Sequence, residues 1–128
     1  MTGLMFRPED ADSGHEQVED MIYNIANAAR ILEELLGGLD QAYWEAATIE
    51  RKDFFYDVIA AVHGELSEVG KLSVQDHHLE YEPITLEFRA ARVKLSKLRK
   101  LLDEYVSRTS TATRLESLIS DAVALFGR

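Results

Sequence analysis

The chain has 128 residues, 46% of them hydrophobic and 29% charged, which suits one water-facing globular domain with room for a real core. It has no cysteine, which excludes disulfides, thiolate chemistry and Cys-ligated zinc. Its net charge of −9 is divided unevenly, −14 over residues 1–87 and +5 over residues 88–128.

Residues 1–13 include Gly3, Pro8 and the acidic Glu9, Asp10 and Asp12, with no sustained period, and read as a flexible acidic arm ahead of a single helical domain at 14–128. They show no cationic start followed by an apolar block, and the longest uncharged run of the first helix, 21–29, is too short to span a bilayer. The expectation is a cytoplasmic protein with no membrane contact.

Ser13 with Glu16 offers a capping box for a first helix over 14–36. Val18, Ile22, Ile25, Ala29, Leu32 and Leu36 form one apolar register, and Met21, Ile25, Ala28, Leu32, Leu35 and Leu39 a second beside it. A stripe that wide fits a bundle with more than one neighbour per helix. Gly37 and Gly38 read as its stop.

Asp40 caps a second helix expected to run unbroken over 41–73, kinked near 51–53, with Phe55, Ile59, Val62, Leu66 and Val69 as its seam. Gly64 and Gly70 inside it suggest close helix contacts. Residues 74–83 lose the period and connect to a third helix over 84–105. There Ile84, Phe88, Ala91, Leu95, Leu98, Leu102 and Tyr105 alternate steps of 4 and 3 behind Pro83. The side chains around that seam, Arg89, Arg92, Lys94, Lys97, Arg99 and Lys100, make a cationic outer face. A Ser/Thr cluster from 107 to 113 reads as a turn, and Thr113 with Glu116 caps a last short helix. No strand pattern appears. The expected fold is all-α, an up-and-down four-helix bundle with two long central helices forming an antiparallel hairpin.

Three groupings bear on chemistry. His63 with Gly64, Gly70 and Lys71 is similar to the helix histidine of a phosphotransfer domain, but Glu65 and Glu68 stand where an incoming phosphoryl group would be repelled. Glu65 and Glu68, with Glu50 and Asp53, echo the paired acids that hold Mg²⁺ in all-α nucleotide pyrophosphohydrolases. Here the order is reversed and the pairs lie about 22 Å apart on one helix. Asp76, His77, His78, Glu80 and Glu82 crowd the second connection without a Glu-x-x-His motif, and read as a polar loop. No catalytic residue, metal ligand or cofactor is assigned.

Direct nucleic-acid contact is disfavoured, because the cations fan around the helix, no aromatic interleaves them, and the remaining chain is acidic. An acidic inhibitor or nucleic-acid mimic, of the kind phages encode, is one alternative. A phosphotransfer or pyrophosphohydrolase-like bundle centred on His63, Glu65 and Glu68 is the other. The leading expectation is a non-enzymatic interaction module, an adaptor, chaperone or inhibitor, whose partner is another protein or a second copy of itself. Its interface candidates are the cations of the third helix and the cluster Tyr43, Trp44, Phe54, Phe55 and Tyr56, which holds five of the chain's eleven aromatics.

Overall fold

In the computed structural model, which describes residues 24–127, Asn24 caps the first helix by accepting the Asn27 N–H at 2.8 Å. The acidic arm and the expected start at Ser13 and residue 14 lie outside the described residues. Helix α1 covers Ile25–Glu45. The second of its two sequence registers is the core, with Ile25, Ala28, Leu32, Leu35, Leu39 and Ala42 all buried.

Gly37 and Gly38 do not end this helix. They lie inside it, and the reason is packing against the last helix. A Cβ on Gly38 would sit 2.7 Å from Leu118 Cδ1 and 3.1 Å from Leu115 Cδ2, whereas one on Gly37 would meet only Arg114 Nη2 at 3.5 Å. We therefore expect Gly37→Ala to stabilise the fold by about 0.5–1 kcal/mol through helix propensity. Gly38→Ala should destabilise it by about 1–3 kcal/mol through overpacking. Urea denaturation of the two variants measures both signs.

The chain reverses over residues 46–48, so the expected single helix over 41–73 is two pieces. Tyr43 and Trp44 belong to the end of α1, and α2 covers Ile49–Val69. Thr48 is the cause: it leaves the helical region, with φ −124° and ψ 157°, and its hydroxyl accepts the Arg51 N–H at 3.2 Å. Lys52, one turn into α2, donates at 2.8 Å to the Tyr43 carbonyl, which also accepts the Ala46 N–H at 3.2 Å, and fastens the two ends together.

The core face of α2 is Phe55, Val58, Val62, Glu65 and Val69, not the expected Phe55, Ile59, Val62, Leu66 and Val69; Ile59 and Leu66 are half-buried flanks. Gly64 has open space where a Cβ would be, and Gly70 serves as the helix C-cap, so neither marks a contact within this chain. A 3-10 turn at Val74–Asp76 follows. The next segment lies across the start of α1, where Leu79 and His77 carbonyls accept the Ile25 and Ala26 N–H groups at 2.9 and 3.0 Å.

Helix α3 covers Leu86–Lys100, with Thr85 accepting the Phe88 N–H at 3.0 Å. It ends earlier than residue 105 because Leu101 leaves helical geometry at φ −117° and ψ 25°, and a separate single turn, α4 (Leu102–Tyr105), follows. That turn brings Tyr105 to Phe54 and Phe55, at centroid distances of 5.0 and 6.5 Å. The seam Phe88, Ala91, Leu95, Leu98 and Leu102 is buried as its spacing predicts, while Ile84 at its head is exposed.

Helix α5 covers Thr109–Ala124 and so begins inside the Ser/Thr cluster, four residues before the expected Thr113 cap. Thr111 is drawn into the core, and its hydroxyl donates to Glu45 Oε2 at 3.1 Å. No side chain caps α5 from its own end. The Glu45 carboxylate from α1 stands near the positive end of its dipole instead.

These contacts fix the topology. Asp57 meets Lys94, Gln41 meets Arg114, and Phe88 stacks on Phe126 at 4.5 Å. Each of α1, α2, α3 and α5 thus runs antiparallel to its two neighbours around one apolar core. The fold is an all-α up-and-down four-helix bundle, and its two 21-residue helices, α1 and α2, form the antiparallel hairpin. The third helix, expected as one arm of that hairpin, has 15 residues because of the break at Leu101. Among the described residues no helix is long and apolar enough to cross a membrane.

Candidate interaction surface

Among the described residues Glu65 is the only charged side chain that is fully buried. Its position on the core register of α2 aims it at the segment leading into α3. Oε2 accepts the Tyr81 O–H at 2.5 Å and the Ile84 N–H at 2.8 Å, and Oε1 accepts the Thr85 N–H at 2.8 Å. The carboxylate also lies at the positive end of α3, which favours its charge. Arg89, one turn into α3, returns to donate to the Pro83 carbonyl at 2.5 Å. Glu65 is therefore the clasp that holds residues 81–85 against α2.

Burial raises the Tyr81 phenol far above its ordinary 10.0, the hydrogen bond to Glu65 and that carboxylate's charge add to the rise, and Arg89 opposes it. In the unfolded chain Tyr81 ionises near 10.0, while in the fold it stays protonated. Stability from this bond is thus fully present below pH 10.0 and is lost as pH climbs above it. Tyr81→Phe should cost about 1.5–3 kcal/mol near neutrality. The gap between it and the wild type should narrow above pH 10.0, a trend read from urea denaturation in the two regimes.

The remaining groups do not converge. His63 is exposed and points about 200° around α2 from Glu65. Glu68 pairs with Lys71 at 2.8 Å, and Glu50 and Asp53 sit in the first turns of α2, at its other end. His77 is half-buried, whereas Asp76, His78, Glu80 and Glu82 are exposed. Among the described residues no three His, Asp or Glu side chains are placed to hold one metal ion.

The aromatic cluster is not one surface. Phe55 is core, Tyr43 and Phe54 flank it, and Trp44 and Tyr56 face outward at 72% and 61% exposure. Trp44 stands edge-on to Tyr43 at 5.2 Å at the bundle tip, with the Lys52 ammonium 4.8 Å from the Tyr43 ring. The six cations of α3 are all exposed and split by side. Arg92 lies against Gly127 beyond α5, Lys94 reaches Asp57 of α2 at 3.3 Å, and helical spacing puts Arg99 with the first and Lys97 with the second. Arg89 is held at Pro83. Lys100 and Arg99 line a polar hollow of about 490 Å³ with Asp103 and Glu116, so both signs of charge meet there.

What the sequence reading passes over is the face between α2 and α3. An open apolar groove of about 440 Å³ runs there, its floor formed by Ala60, Ala61 and Gly64 on one side and Ala90 and Ala91 on the other. Beside it Leu86 projects from α3 at 78% exposure, and Val93, at 73%, lies over the adjoining hollow lined by Arg92, Ser96, Lys97 and Lys100. Leu86, Ala90, Val93 and Lys97 repeat at steps of 4, 3 and 4, a second stripe rotated from the buried seam. That spacing is the signal by which the face could have been found.

Comparison of the chain with protein-family models, with curated proteins and with solved structures finds no match.

Proposed function

We propose that this chain is a non-enzymatic protein–protein interaction module, of the adaptor, chaperone or inhibitor type, that works in the cytoplasm through the α2–α3 face. The observation that carries the reading is the pair Leu86 and Val93. They are large apolar side chains, almost wholly in water, set one above the other on a helix that already buries its seam on another side. Isolated exposed leucines or valines are ordinary. Two at helical spacing border a groove floored by alanine and glycine and edged by Asp57, Glu87 and Lys94, and each such side chain gains about 1.5–3 kcal/mol when a partner covers it. Glu65 supports the same reading: both of its oxygens are engaged in holding the fold.

The test is site-specific photo-crosslinking in the native cell. A benzophenone side chain at position 93 should form protein adducts, and one at Glu33, exposed on α1, should not. Equal labelling at both positions, or none at position 93, counts against the face.

A further inference from the structure

We infer that the occupant of the α2–α3 face is a second copy of this chain, joined about a two-fold axis parallel to the bundle. The inference rests on the interaction reading above and adds the identity of the partner.

A two-fold interface must be complementary to itself. This face is over the stretch from the start of α2 to Lys94, because its two edges carry opposite charge at matching levels there. The α2 edge holds Asp53 and Asp57, the α3 edge holds Lys94 and Lys97, and the Asp57–Lys94 contact at 3.3 Å shows that they lie side by side; Glu87, the acidic group of the α3 edge, stands nearer the level of Gly64. An axis along the bundle keeps each level unchanged and brings α2 of one copy beside α3 of the other, antiparallel. The acidic edge then meets the cationic edge twice, once on each side of the axis. A foreign partner would need both signs in the same order; a second copy already has them.

The apolar groups follow the same operation. The Glu65 bonds to Ile84 and Thr85 set the level of Gly64 beside the first turn of α3. Leu86 of one copy therefore arrives over Gly64 of the other, where among the described residues a Cβ would meet nothing within 4 Å beyond its own stretch of helix. The two hairpins make a second four-helix layer with small residues on its floor and large ones from its rim, and the charged edges fix its orientation more than its strength.

Sedimentation equilibrium of the full chain tests this. The wild type should weigh about twice 14.5 kDa at micromolar concentration. Val93→Asp should weaken the dimer about a hundredfold with an unchanged helical spectrum, since Val93 is 73% exposed and outside the core. Leu86→Glu provides the same test at an independent exposed site. Lys97→Glu should weaken association, and adding Asp53→Lys should restore it. A monomeric wild type overturns the inference, whether the face is then covered by residues 1–23 or by another protein. A dimer indifferent to both apolar variants overturns it as well. A monomer that still forms adducts at position 93 in cells would leave the interaction reading standing without the second copy.

Discussion

Replacing Glu65 with alanine should remove about 3–5 kcal/mol of stability, a large part of what a domain of this size holds. Three donors turn toward this carboxylate: the Tyr81 hydroxyl and the Ile84 and Thr85 amides. Each would lose its acceptor, the hydroxyl in a buried site and the two amides in a partly buried one, and such a loss costs about 1–3 kcal/mol where water is excluded. The loss cannot be repaired by filling the space with a methyl-rich side chain. An ion pair can be exchanged for two apolar residues, but backbone N–H groups at 84 and 85 remain whatever is placed at 65. Glu65→Gln should cost less, about 1–3 kcal/mol, because its carbonyl oxygen still accepts while its amide turns a donor toward donors. Guanidinium denaturation of the alanine, glutamine and Tyr81→Phe variants should rank them with alanine the least stable. A loss under about 1 kcal/mol for Glu65→Ala would mean that water reaches these groups and that the clasp does not hold the segment.

Phe88→Ala is expected to cost about 3–5 kcal/mol. Phe88 has no exposed surface and lies at the closing corner of the bundle, where the first turn of α3 meets the end of α5. Its ring stacks on Phe126 at 4.5 Å with 29° between planes. Truncation leaves a void the size of a ring and strips Phe126 of its partner, and the clasp at Glu65 prevents the start of α3 from collapsing inward to fill it. The spread of such costs is set by how far a site relaxes. Phe88→Leu should therefore recover more than half of the loss. The same denaturation series measures both, and a cost near zero for the alanine variant would contradict the packing described here.

The parts of the fold legible in the sequence are those governed by period. The steps from Phe88 to Leu102 predict a buried seam, and those residues are buried. The second register of the first helix, Ile25 to Leu39, is likewise the core. The parts that were not legible are those where one residue type has two uses. Glycine at 37 and 38 breaks a helix in isolation, yet Gly38 lets α5 come close, a fact that belongs to Leu115 and Leu118, far along the chain. Serine and threonine cluster at turns, yet Thr111 satisfies its hydroxyl on Glu45 and becomes core. Thr48 caps α2 without a glutamate three residues on, so no capping box marks it.

The candidate site shows the same limit. Glu65 falls on the steps Phe55, Val58, Val62, Glu65 and Val69, and a reading that sends every carboxylate to solvent moves the seam one residue over, to Leu66. Three successive helix positions at 54–56 span too wide an arc to share one core, and Tyr56 is the ring that faces water. Which side of α3 would be left uncovered depends on which helices flank it, and that is a property of the assembled bundle. Leu86 and Val93 read as ordinary exposed residues until α2 is placed beside them.

The measurement that bears most directly on a second copy as the occupant of the α2–α3 face is a dilution series followed by the methyl resonances of the 128-residue chain. Leu86 and Val93 methyls should shift with concentration along one binding curve. Val74, which is as exposed but lies in the turn after α2, should not move. Methyl positions at 86 and 93 that stay fixed across the series, or a Val74 shift of equal size, would contradict the account.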